Sequence, residues 1–203
     1  MRLNIKPNEH LAVVGMTGSG KTYFVHKLAR SVRRLVVFDP KGTLGEDSGW
    51  NLTDWNRKTE KLIMSDNPFR VRVLAPIETN QVEAYDAYFE KIYNAGNVIV
   101  YIDEAYGVTE RGRYGKWLQA LYTRGRELQI GVWAATQRPT WIPLFMLSET
   151  RWLFSFRLQM EVDRRRMAEL MGANVLNPIP DIHGFYYKQS DMVNAQYVRQ
   201  LGS

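Results

Sequence analysis

The segment "GMTGSGKT", residues 15 to 22, follows the apolar run "LAVV" and opens into "YFVHKLAR". Gly15 and Gly20 frame a loop whose backbone N–H groups can turn inward on an anion, because glycine tolerates left-handed dihedrals and lets the backbone come close. Thr17, Gly18 and Ser19 fill the loop, and a helix starting near Lys21 would add the positive end of its dipole. The Lys21 ammonium then reaches the β and γ phosphates, and the Thr22 hydroxyl is a ligand for Mg²⁺. A complete G-x-x-x-x-G-K-T pattern between a strand and a helix is far more specific than a chance Gly/Ser turn. ATP and Mg²⁺ are the expected ligands.

A phosphate loop needs a carboxylate on the metal side. "NVIVYIDEA", residues 97 to 105, ends an apolar strand on two acids. Ligands of open α/β sheets bind at the carboxyl ends of strands, so Asp103 is placed to hold the water shell of Mg²⁺. Glu104 can polarise a water for attack on the γ phosphate, which suits a hydrolase better than a kinase. An acidic pair after a strand often does no more than begin an exposed loop; the upstream cradle favours the chemical reading. After the next strand, "IGVWAATQRP" puts Gln137 beside the point where Asp103 should emerge. A neutral amide there can hydrogen-bond both water and γ phosphate without competing as an acid.

These residues need a sheet to hold them. "LAVV" (11 to 14), "LVVF" (35 to 38), "VRVL" (71 to 74), "VIVYI" (98 to 102), "IGVWAA" (130 to 135) and "WLFSF" (152 to 156) read as buried strands. Phe24, Val25, Leu28 and Val32 mark one face of an intervening helix; Trp117, Leu118, Leu121 and Tyr122 mark another. The alternation predicts an α/β fold, a doubly wound and mainly parallel sheet flanked by helices. "GTLGEDSGWNLTDWN" reads as a turn-rich excursion, and "GFYYKQ" with "AQYVRQ" as a C-terminal β-hairpin. One domain over residues 1–203 is expected, with a core of about 11–172 and a C-terminal extension, 173–203.

Composition narrows the class. With 45% hydrophobic and 24% charged residues the chain has ordinary globular usage. No apolar run approaches a membrane span, and the N-terminus has no secretory core, so a soluble intracellular protein is expected. The absence of cysteine excludes disulfides and thiolate metal sites, and His10, His26 and His183 have no metal-ligand spacing. The net charge of +6 favours an anionic partner. From Arg111 to Arg126 the chain carries Arg111, Arg113, Lys116, Arg124 and Arg126 and no acid. A solvated helix face is the commoner origin of such a run. In the loop "YGVTERGRYGKW", however, Arg111, Arg113 and Lys116 are placed to neutralise DNA phosphates without reading bases, and Gly107, Gly112 and Gly115 to let it bend.

Taken in order, "GMTGSGKT", "VIVYIDEA" and above all "RGRELQIGVWAATQRP" resemble the motifs of the FtsK/HerA superfamily, over residues 11 to about 172, with "VVFDPKG" and "ETRWLFSFRLQMEVDRRRMAELMG" also similar. The resemblance implies a RecA-like (ASCE) P-loop fold, ATP hydrolysis coupled to translocation of double-stranded DNA, and a homo-oligomeric ring, a hexamer. It also implies an arginine reaching a neighbour's nucleotide; Arg151 matches that position, with Arg157, Arg124 and Arg126 as alternatives. Larger relatives carry further domains, whereas here the phosphate loop begins at residue 15. The chain looks most like the minimal genome-packaging ATPases of tailless viruses with double jelly-roll capsids, which implies viral packaging, capsid or virion membrane proteins as partners, and association with the virion. A cellular or plasmid DNA translocase is the nearest alternative. Small P-loop nucleotide kinases, and phage-assembly proteins similar to zonula-occludens toxin, are the alternatives of another class.

Overall fold

In the computed structural model, which describes residues 3–44, 50–74, 81–110 and 112–199, the apolar runs become strands. They are β1 (Leu11–Val14), β2 (Arg34–Phe38), β3 (Thr53–Asp54), β4 (Phe69–Val73), β5 (Val98–Ile102), β6 (Ile130–Thr136), β7 (Trp152–Phe156), β8 (Phe185–Gln189) and β9 (Gln196–Val198). Helices α1 (Lys21–Ala29), α2 (Arg57–Ile63), α3 (Gln81–Ala95), α4 (Lys116–Arg124), α5 (Phe145–Ser148) and α6 (Glu161–Met171) run between them.

Among the described residues the strands form one sheet in the order β3-β4-β2-β5-β6-β1-β7-β8-β9. The pairs from β3 to β7 are parallel, while β8 runs antiparallel to β7 and β9 antiparallel to β8. Every residue of β1, β5, β6 and β7 is buried, as strands covered on both faces require. Alternate side chains separate into two cores. One holds Val14, Val36, Phe38, Val100 and Ile102 with residues of α2 to α6. The other holds Leu11, Val13, Val37, Tyr101 and Phe154 with Phe24 and Val25 of α1 and with Leu44 and Trp50.

The hairpin forms, pairing Phe185 with Val198, and it also docks on the main sheet, pairing Phe156 with Phe185. Phe185 packs 5.3 Å from the Phe24 ring, so the segment after residue 172 helps to cover α1. Of the excursion, residues 45–49 lie outside the described residues, but Trp50 is buried against the Tyr101 ring at 5.4 Å and Thr53–Asp54 adds a short edge strand.

One further contact ties the chain before β1 to the sheet. His10, 1% exposed, accepts the Val132 N–H at Nδ1 (2.9 Å) and donates from Nε2 to the Tyr122 carbonyl (3.1 Å). That pattern requires the neutral ring. Burial pushes its pKa down to about 4; the Tyr122 bond opposes this, and the charge of Arg126 adds to it.

Candidate nucleotide site

The topology decides which strand ends meet. Because β6 lies between β1 and β5, the carboxyl ends of the three strands bring the phosphate loop, Gln137 and the Asp103–Glu104 pair side by side. Gly15 has no room for a side chain: a Cβ there would stand 2.6 Å from Phe156 Cβ and 2.7 Å from Ser19 Oγ. Gly20 precedes α1 at φ 99, with no side-chain cap and no acid in the first turn. The N–H groups that open α1 are therefore directed at the loop rather than consumed by a capping residue.

Lys21 is buried and its Nζ donates to the Met16 carbonyl at 3.0 Å. Burial lowers its pKa, against the opposing charges of Glu104 and Asp103. Asp103 is pushed up by burial; a hydrogen bond from Tyr101 opposes this, while Glu104 and Asp39 push it further. A cation beside Asp103 would relieve that crowding of negative charge. One carboxylate and one hydroxyl, Asp103 and Thr22, are hard oxygen donors of the kind Mg²⁺ takes alongside waters and phosphates. The residues fit the ion.

Glu104 is held from three directions. Its Oε1 accepts the Gln137 N–H (2.9 Å), and its Oε2 accepts the Gln137 side-chain amide (2.6 Å) and the Lys41 ammonium (3.0 Å). Gln137 then accepts from the Thr17 hydroxyl at 2.8 Å, which closes a path from the phosphate loop to the glutamate. The sequence places Gln137 beside water and phosphate; the structure shows its amide bridging Thr17 and Glu104. Glu104 has a left-handed backbone (φ 64, ψ 71), a strained position for a non-glycine residue at a site of this kind.

Residues 2–95, which include the phosphate loop, match the family described as Helicase HerA, central domain (DUF87). The DNA packaging ATPase P9 of Enterobacteria phage PRD1 is 29% identical over 201 residues, covering 89% of this chain and 83% of that protein. Over residues 2–95 the chain is similar to the HerA central domain, and over most of its length to a phage DNA-packaging ATPase.

Solved structures share the fold over nearly the whole length. The genome packaging NTPase B204 from Sulfolobus turreted icosahedral virus 2, in complex with AMPPCP, superimposes with a TM-score of 0.75 at 16% identity, covering 98% of this chain and 100% of that one. The pCW3 conjugation coupling protein TcpA superimposes with a TM-score of 0.65 at 15% identity, covering 97% of this chain and 62% of that one.

Around this site the expected arginines are scattered. Arg151 enters β7 at the amino end of the sheet, opposite the phosphate loop, and its Nε donates to Glu9 Oε1 at 2.9 Å. It does not reach the phosphate loop of its own chain. Arg124 ends α4 and Arg126 follows it at that same far edge, where the Arg126 carbonyl accepts from Asn8. Arg157 instead leaves β7 beside the phosphate loop, where its carbonyl accepts the Met16 N–H at 2.7 Å.

The segment after Glu104 corrects an expectation. Ala105–Val108 form a 3-10 turn with Ala105 and Val108 buried, and Gly107 lies so close to Pro40 that a Cβ would stand 2.5 Å from its ring. Close packing, not bending, is what that glycine serves. Arg113 pairs with Glu110 at 3.4 Å, and Lys116 opens α4 over the Trp117 ring. Arg111 lies outside the described residues.

Sequence reasoning missed Lys41, Tyr101 and Asp39. Lys41 sat inside the similar "VVFDPKG" without a role, and its contact joins residues 63 apart. In the run "VIVYI" Tyr101 reads as one more apolar strand residue, although a buried phenol hydroxyl must find a partner. Asp39, 0% exposed, accepts the Thr43 and Leu44 N–H groups and so shapes the loop that carries Lys41.

Proposed function

We propose that this chain is an ATP-driven motor that moves double-stranded DNA, packaging a viral genome into a preformed capsid. The observation that carries the reading is the path Thr17–Gln137–Glu104, because it joins the loop that holds phosphate to the carboxylate that would activate water. Lys21 exchanges the Met16 carbonyl for phosphate oxygens, and the N–H groups opening α1 complete the cradle. Glu104 accepts the proton of the attacking water. Thr22 and Asp103 would hold Mg²⁺, which when bound neutralises charge on the phosphates. Loss of the γ phosphate is felt first by Thr17 and passes through Gln137 to Glu104, and from there to the turn at residues 105–108.

Similarity to the phage PRD1 packaging ATPase supports the packaging reading over a general translocase. Likeness to TcpA keeps a plasmid translocase as the second reading. A homo-oligomeric ring, a hexamer, would bring an arginine of one subunit to the nucleotide of the next. Arg151 and Arg157 are the positions to test for that role. Capsid or virion membrane proteins would be its docking partners, with action at the virion. No helix among the described residues is long and apolar enough to cross a membrane.

The deciding measurement is ATP turnover with and without duplex DNA. Turnover should rise with DNA and be lost in Lys21→Ala, whose missing charge no longer stabilises the transferring phosphoryl group. Turnover indifferent to DNA would sink the motor reading and favour a kinase or a nucleotide-gated assembly protein.

A further inference from the structure

Tyr101 on β5 is two residues before Asp103, which directly follows the strand, so the two side chains leave the same face of the sheet. Its ring is fully buried. The hydroxyl donates to Asp103 Oδ1 at 2.5 Å, and the Thr22 side chain hydrogen-bonds the same hydroxyl. One phenol thus joins the two oxygen donors that the nucleotide reading gives to a divalent cation. These donors come from α1, which follows β1, and from the residue after β5, two strands that β6 separates in the sheet.

The ring has little freedom to leave. Trp50 stacks on it at 5.4 Å with an interplanar angle of 7°, and His26 of α1 packs in turn on Trp50 at 4.8 Å. The series His26–Trp50–Tyr101 links α1 to β5. A side chain needed only to fill this space could be phenylalanine; the hydroxyl adds nothing to packing and acts only on Asp103 and Thr22.

The geometry points to Tyr101 as a positioning residue for the divalent cation that accompanies the nucleotide. Its hydroxyl fixes the Asp103 carboxylate and keeps it facing Thr22. Groups that orient metal ligands from outside the coordination shell commonly change affinity by about 10- to 100-fold when removed. The inference rests on the nucleotide-site reading and adds to it a residue outside the motifs.

The test is Mn²⁺ binding to the full chain with ADP, followed by electron paramagnetic resonance, in wild type and Tyr101→Phe. Mn²⁺ affinity should fall by about tenfold or more in the variant. ADP binding in excess EDTA and the thermal midpoint should stay near wild type. In Asp103→Asn the further change Tyr101→Phe should add almost nothing, since the hydroxyl acts through that carboxylate. Mn²⁺ affinity in Tyr101→Phe within twofold of wild type, or an additive effect in the double variant, would overturn the inference. Wild type that takes up no Mn²⁺ with ADP would overturn the nucleotide-site reading itself. If Tyr101→Phe does not fold, 4-fluorophenylalanine incorporated at position 101 supplies the second variant: it keeps the ring and a small para substituent but no donor, so the same loss of about tenfold in Mn²⁺ affinity is expected, and an affinity within twofold of wild type would overturn the inference.

Discussion

The Lys41 ammonium lies 3.0 Å from Oε2 of Glu104, the same oxygen that accepts the Gln137 side-chain amide at 2.6 Å. Burial acts to lower the Lys41 pKa, but the hydrogen bond and charge of Glu104 outweigh it and the pKa is raised, so the ammonium keeps its proton at neutral pH. A carboxylate with all three donors in place is not free to take a proton from water.

Lys41→Met should therefore release Glu104 and raise DNA-independent ATP turnover. Lys41 is 39% exposed, so solvent screening limits the effect to about 1 kcal/mol, or roughly fivefold. Steady-state rates without DNA check this. A fall in turnover, rescued by Lys41→Arg, would instead make Lys41 a direct ligand of the nucleotide.

Glu104→Gln keeps the shape of the side chain and removes its basicity. ATP binding should persist while hydrolysis falls by about 10² or more, the usual worth of a general base. Equilibrium binding of a fluorescent ATP analogue, measured beside turnover, separates the two effects. Near-normal turnover would remove Glu104 from the reaction.

Arg151 holds Glu9, whose other oxygen accepts the Trp152 indole N–H at 2.8 Å. Arg151→Ala leaves that carboxylate, only 8% exposed, without its cation and should destabilise the fold by about 1–3 kcal/mol. Denaturant unfolding measures the change. Mixing Arg151→Ala with Lys21→Ala subunits then tests the role in trans: recovered turnover would assign it, and no recovery would turn the search to Arg157.

For DNA, the double variant Arg111→Ala, Arg113→Ala should flatten the salt dependence of duplex binding by about 0.9 for each phosphate that the protein no longer neutralises. Basal turnover should survive. An unchanged slope would move the track to another surface, with Arg164 to Arg166 on α6 next in line.

His10 makes stability depend on pH. Its folded pKa is near 4 against an ordinary 6.5, so between these values the unfolded chain binds a proton that the native chain does not. Stability should be full above about pH 6.5, fall as the pH drops toward 4, and change little further from this group below that; the total is on the order of 3 kcal/mol. Chemical unfolding at pH 7 and pH 5 in wild type and His10→Gln measures it. The variant should be less stable at pH 7 and show less of this slope.

The residues from Gly15 to Thr22 determine a glycine-framed turn into a helix by themselves, because such a turn is a local structure and needs no distant partner to be recognised. Asp103, Glu104 and Gln137 were legible for a related reason: an apolar run ends where its strand leaves the core, and ligands gather at that edge. Strand order was not local. Only the pairing of β6 with both β1 and β5 brings Gln137 onto Glu104 and Thr17 at once. The same holds for Lys41, Tyr101 and the far-edge position of Arg151, whose partners lie on other elements or on a face that an unbroken apolar run conceals. Hydrogen bonds and ion pairs act over about 3 Å, and the chain sets which groups come that close only when the sheet has formed.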